Sequence, residues 1–186
     1  LPTEKKMIIL AFLGNPGNKY SRTRHNIGFI FGEHFASTHG IKINKKSFSA
    51  ETGTGRIEGC DTLLLFPQTF MNLSGQSIAR AMDFYNVKPG ELIVVHDELE
   101  LPFGDIKLKT GGGHKGHNGL RSIIAESGSP DFHRIRFGIG RPVNPQMDVA
   151  DHVLSNFSKE ESDKLPELFP AAEDLILSQI KKIDSN

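Results

Sequence analysis

The chain has 186 residues, with 22 lysines and arginines against 22 aspartates and glutamates, so its formal net charge is +0. That length suits one domain with a core of ordinary size. The charge balance excludes a broad electrostatic coat for nucleic acid and leaves room for a local basic patch. Cys60 is the only cysteine, which excludes an intrachain disulfide and fits a reducing compartment.

Lys5 and Lys6 ahead of the apolar run Met7–Leu13 imitate the start of a secretion signal. The run ends in Gly14-Asn15-Pro16-Gly17 and has no small-residue cleavage site, so a buried first strand is expected instead. It is also far shorter than the roughly 18 residues of a membrane span. Asn15 stands in the turn at the carboxyl end of that strand, where open α/β sheets place their ligands. After polar residues that include Tyr20, Arg22 and Arg24, a helix is expected from His25. Ile27, Ile30, Phe31 and Phe35 share one of its faces, and Gly40 ends it. Residues 41–57 read as two strands. Glu58–Asp61 reads as a turn in which Cys60 has no basic neighbour to activate its thiol. Thr62–Phe66 reads as a second buried strand, followed by Asn72 or Ser74 as the cap of a helix through Ile78, Ala81, Met82 and Tyr85.

Leu92–Val95 is the most strand-like run of all and delivers His96-Asp97-Glu98 at its carboxyl end. A further strand, Ile106–Lys109, leads into Thr110-Gly111-Gly112-Gly113-His114-Lys115-Gly116-His117-Asn118-Gly119. Such a glycine-rich loop presents free backbone N–H groups, and Asn118 is placed to lead the helix that follows, so the loop suits a phosphate or a developing oxyanion. Arg134 and Arg136 alternate with apolar residues on another strand, at the same spacing as Lys107 and Lys109, and the four are expected to form one basic stripe if the strands are neighbours. A capping box, Ser158-Lys159-Glu160-Glu161, opens a last helical stripe from Leu165 to Ile180 that Pro166 and Pro170 are expected to interrupt. Strands alternating with helices predict a single three-layer α/β domain over residues 1–186, its mostly parallel mixed sheet flanked by helices.

Asn15, Asn72, Asp97, His117 and Asn118 all follow strands, and His25 comes soon after the first one, so they are expected to converge at one edge of the sheet. A neutral histidine can take a proton from water, a carboxylate can stabilise the imidazolium that forms, and amides can hold an oxyanion. With no nucleophile motif in view, this kit suits direct hydrolysis of an ester. Two alternatives stay open. One is metal-assisted hydrolysis, with ligands drawn from His25, His96, Asp97, His114 and His117. The other is a non-enzymatic phosphate or RNA module using Lys107, Lys109 and Lys115.

The motifs Phe12-Leu13-Gly14-Asn15-Pro16-Gly17 with Tyr20, Thr23-Arg24-His25-Asn26-Ile27-Gly28 and Phe70-Met71-Asn72-Leu73-Ser74-Gly75 are individually weak. Together with His96–Pro102, Gly111–Leu120 and Arg136–Pro142, in that order, they are specific. On these residues the chain resembles the bacterial peptidyl-tRNA hydrolases. The resemblance implies cleavage of the ester that joins a peptide to the acceptor end of tRNA, with His25 as general base and Asp97 as its partner. It implies that Asn15, Asn72 and Asn118 hold the substrate and oxyanion, Asn72 counting among the catalytic groups, and that His117 stands beside the attacking water. Tyr20 and Phe70 join the substrate contacts, although Phe70, like Phe66, departs from the residue many members carry. Lys109 and Arg136, with Lys107 nearby, would meet the 5′ phosphate of the tRNA. No metal, no cofactor and no membrane are implied, and a cytoplasmic monomer is.

Overall fold

The computed structural model describes residues 6–186, so Lys5 lies outside it. Seven strands form one mixed sheet: β1 (Met7–Phe12), β2 (Lys45–Ser47), β3 (Ala50–Ile57), β4 (Cys60–Pro67), β5 (Leu92–Glu98), β6 (Ile106–Thr110) and β7 (His133–Gly138), in the spatial order β2-β3-β4-β1-β5-β7-β6. The four central strands, β4, β1, β5 and β7, run parallel. The hairpin partners β3 and β2 run antiparallel on one flank and β6 does so on the other.

Period-two alternation divides each central strand between two cores. Ile8, Leu10 and Phe12 point to the face covered by α1 (Ile27–Thr38) and α5 (Lys159–Asp184). Ile9, Ala11 and Leu13 point to the face covered by α2 (Ser74–Tyr85) and α3 (Asn118–Ser127). The short α4 (Val149–Val153) precedes α5. This is the three-layer α/β architecture that the alternation of elements predicts.

The chain leaves β1 for the β2–β4 flank and returns to the opposite side of β1 as β5. The carboxyl ends of β1 and β5 therefore border the point where the winding changes direction, the usual place for a site in such sheets.

Three local expectations are corrected. α5 runs unbroken through Pro166 and Pro170. Both prolines lie on its exposed face, where water can satisfy the carbonyls one turn earlier. Neither Asn72 nor Ser74 caps α2: the cap position is Leu73, without a side-chain bond, and the Ser74 hydroxyl donates to the Met71 carbonyl at 2.8 Å. Finally, β6 is antiparallel to its neighbour, so the glycine-rich loop leaves from the edge opposite the parallel strands' carboxyl ends.

Candidate active site

His25 reaches the sheet because α1 comes down onto it without a side chain in the way. A Cβ on Gly28 would stand 2.4 Å from the Leu13 carbonyl oxygen and 2.7 Å from that of Val95. One turn on, a Cβ on Gly32 would stand 2.5 Å from the Phe12 and Phe66 rings. The two glycines let the helix settle on β1 and β5, and the turn Arg24–Asn26 just ahead of it carries His25 over the end of β5. Arg24 anchors that turn, donating to the Ser155 hydroxyl, the Asn156 carbonyl and Glu161, the last at 2.8 Å.

Asp97, only 3 % exposed, lies beneath. Its Oδ2 is 2.8 Å from His25 Nδ1 and its Oδ1 is 2.8 Å from His117 Nε2. Burial favours the neutral acid, but the charges and hydrogen bonds of the two imidazoles outweigh it and hold the carboxyl far below the usual carboxylate range. For His25, burial disfavours the imidazolium, and the charge of Asp97 and its hydrogen bond reverse that, so the pKa ends above 6.5.

The two histidines are not equivalent. His117 caps α3: its Nδ1 accepts from the N–H groups of Gly119 and Leu120 at 3.1 and 3.2 Å. Nδ1 must therefore carry the lone pair, and Nε2 the proton donated to Asp97. His25 donates Nδ1–H to Asp97, which leaves the lone pair on Nε2, and that nitrogen bonds to nothing among the described residues. One imidazole at this carboxylate is thus free to accept a proton and the other is fully used. A third, His96, is buried with Nδ1 2.8 Å from the Asp97 carbonyl. Burial first, and the neighbouring His117 second, push its pKa down to about 3. Sequence reasoning had offered His96 only as a metal ligand.

His25, Asp97 and His117 are also the one group among the described residues with metal-ligating atoms close together, all within 4.8 Å. To bind a cation His117 would need its lone pair on Nε2, and so a proton on Nδ1 facing two backbone N–H groups. The hydrogen bonds make these groups a triad in which His117 Nε2 carries a proton where a cation would need a lone pair.

These three residues, Asn118, Lys109 and Arg136 line one cleft of about 350 Å³. Lys109 has its pKa lowered by partial burial and by the charges of Lys115, Arg136 and Arg134, a local cationic field in a chain of zero net charge. Arg136 leans towards Glu98 at 3.7 Å. The expected stripe is real in its pairing, with Lys107 opposite Arg136 and Lys109 opposite Arg134. Two of its members offer the cleft no free cation. Lys107 is exposed outside it, and Arg134, although part of the cleft's lining, is 2 % exposed with its guanidinium donating to backbone carbonyls.

The other expected residues, Asn15, Asn72, Tyr20 and Phe70, are not part of this cleft's lining. Asn15, nearly buried, accepts the Met71 N–H at 2.7 Å and lines an adjoining cleft with Asn26. Asn26 was missed in the sequence: its side chain and the Asn15 backbone exchange two hydrogen bonds of 2.9 Å. Asn15 thereby holds the turn Met71–Leu73 that presents Asn72. Asn72 is exposed, and the Met71 sulfur beside it would stand 2.7 Å from a Cβ on Gly119, which seats that turn against the start of α3. Tyr20 and Phe70, the latter 56 % exposed, meet edge to face at 6.4 Å and line neither cleft.

Fold and site together place the chain among the α/β enzymes that work at the carboxyl edge of a sheet, and comparison with known proteins makes that class specific. The peptidyl-tRNA hydrolase family model matches residues 9–186. Peptidyl-tRNA hydrolase from Citrifermentans bemidjiense is 51% identical over 174 residues, 94% of this chain and 92% of that one. The protein of the same name from Geotalea daltonii is 53% identical over 168 residues, 90% and 87% of the two chains. The crystal structure of peptidyl-tRNA hydrolase from Acinetobacter baumannii superposes with a TM-score of 0.82 at 44% identity, covering 95% of this chain and 88% of that one. The chain belongs to the peptidyl-tRNA hydrolase family and is a hydrolase.

Proposed function

We propose that the chain hydrolyses the ester between peptide and tRNA in peptidyl-tRNA, returning the tRNA to translation. It does so as one catalytic domain over residues 1–186, a cytoplasmic monomer that needs no metal or cofactor. The observation that carries this reading is the free Nε2 of His25, the one unspent imidazole nitrogen on a carboxylate that already holds a second histidine. In this mechanism His25 Nε2 takes a proton from water as the water oxygen attacks the ester carbonyl. Asp97 stabilises the imidazolium and keeps the ring in the productive tautomer. The amide NH₂ groups of Asn72 and Asn118 meet the oxyanion, and Asn15 sets the turn that carries Asn72. Collapse of the tetrahedral intermediate expels the ribose oxygen, which takes the proton back from His25. Tyr20 and Phe70 offer an aromatic surface to the substrate outside the cleft. Lys109 and Arg136 receive the 5′ phosphate.

The test is incubation with purified peptidyl-tRNA and with aminoacyl-tRNA, side by side, with and without EDTA. Peptidyl-tRNA should be the faster substrate and EDTA should change nothing. Activity lost in EDTA and restored by zinc would replace this reading with the metal one, and equal rates on the two substrates would leave a general aminoacyl-ester hydrolase.

A further inference from the structure

His117 reaches Asp97 by an indirect path. β6 ends at Thr110, which pairs with His133 at the start of β7, whereas Asp97 pairs with Phe137, four residues further along. At about 3.3 Å per residue, the loop after β6 must climb back roughly 13 Å over the sheet before His117 can meet the carboxylate. Gly111, Gly112, Lys115 and Gly116 all have φ between 48° and 97° along this climb. A segment so rich in glycine gives up much backbone entropy when it is fixed, so what fixes it matters.

Arg134 does. It is the only buried lysine or arginine among the described residues. Its guanidinium donates to the carbonyls of Gly113 at 2.8 Å, Gly112 at 2.5 Å and Pro130 at 3.0 Å, and it stacks 4.5 Å from the centre of the Phe132 ring. Among the described residues no other hydrogen bond ties residues 112–116 to a residue outside the loop. Beyond Gly113 the path to His117 is a single tight turn, with the His117 N–H on the His114 carbonyl at 2.9 Å and the Gly116 N–H on His114 Nδ1 at 3.0 Å. Two neighbouring carbonyls are a match for the rigid fork of a guanidinium, while an ammonium meets such a pair as a point.

We propose that Arg134 is a positioning residue for the hydrolysis, one that grips Gly112 and Gly113 and through the turn His114–His117 holds the His117 imidazole on Asp97. The inference rests on the hydrolytic reading above and assigns Arg134 no contact with the tRNA.

The experiment is a double-variant cycle on single-turnover hydrolysis of peptidyl-tRNA, using wild type, Arg134→Lys, His117→Ala and both together. Arg134→Lys keeps the charge and loses the fork. It should slow the wild type on the order of 10-fold to 10²-fold, the scale of a misplaced catalytic group. In the His117→Ala background it should slow the reaction by less than about 2-fold, because the group it positions is already gone. The same loss in both backgrounds, whether from partial unfolding or from another role, would overturn the proposal, and so would no loss in the wild type. A wild type inert on peptidyl-tRNA would instead refute the hydrolytic reading, before the variants are compared.

Discussion

Around the one carboxylate of Asp97 the three imidazoles of His25, His96 and His117 are held in three different states, and each state makes its own prediction. His25 keeps a free Nε2, so His25→Ala should lower turnover of peptidyl-tRNA by roughly 10²–10⁴-fold, the share of a general base. His117→Ala should cost less, because that ring orients Asp97 and caps α3 without taking a proton. Single-turnover rates of the two variants check the order, and a larger loss in His117→Ala would reverse the assignment. His96 is buried and neutral, with its pKa pushed down to about 3 against an ordinary 6.5. Between those values the unfolded chain binds a proton that the folded chain does not, so His96 makes stability fall as pH drops from about 6.5 towards 3. His25 has the opposite sign: its raised pKa adds stability below 6.5 that is lost as pH rises through the folded value. Urea unfolding between pH 4 and 7 should show a shallower acid decline in His96→Phe than in the wild type, and identical slopes would mean that His96 is not held neutral. Asp97 and His25 were legible in the sequence because a carboxylate leaving a strongly apolar strand has little reason to be there as a solvated loop. The capping role of His117 was not, since serine, threonine, asparagine and aspartate are the usual caps.

Among the elements, α1 and β6 decide where these side chains go. The site depends on α1 touching backbone at Gly28, where an added methyl would meet the Leu13 and Val95 carbonyls. Gly28→Ala should therefore lift the start of the helix, cost about 1–3 kcal/mol as overpacking does, and lower activity by separating His25 from Asp97. Thermal unfolding together with the hydrolysis rate checks both, and a variant with native rate and stability would show the contact to be dispensable. The signal for it was present in the sequence, since Gly28 and Gly32 lie one turn apart in an otherwise apolar helical stretch. The direction of β6 was not legible: alternation shows that residues 106–109 are a strand without showing which way it pairs. For the same reason Arg134 read as a member of one basic stripe with Arg136, although on β7 its side chain is roofed by the returning loop. Asn72 read as a cap because asparagine before a helix usually is one, whereas Asn15 holds its turn from the other side. The layers themselves were legible, because the apolar runs of β1, β4 and β5 leave no face for water.

On the scale of the whole molecule, a net charge of zero coexists with a cleft bordered by Lys109, Lys115 and Arg136, and no helix is long and apolar enough to cross a membrane among the described residues. Few cations can then meet the tRNA, so the logarithm of affinity should fall with that of salt by only about 0.7 to 0.9 per phosphate contact. Lys109→Ala and Arg136→Ala should each weaken binding and flatten that slope while sparing a minimal peptidyl-adenosine ester. Equal rates for wild type on peptidyl-tRNA with and without its 5′ phosphate, at subsaturating concentration, would remove the phosphate contact from the account. The His25–Asp97 pair is tested most directly by the pH dependence of kcat/KM for peptidyl-tRNA in EDTA, with wild type and Asp97→Asn measured together. The raised pKa of His25 predicts a wild-type acid limb above the ordinary 6.5. Without the carboxylate only burial remains, so in Asp97→Asn the limb should move below 6.5 as the maximal rate falls. An acid limb at the same pH in both proteins would contradict the claim that Asp97 sets the basicity of His25.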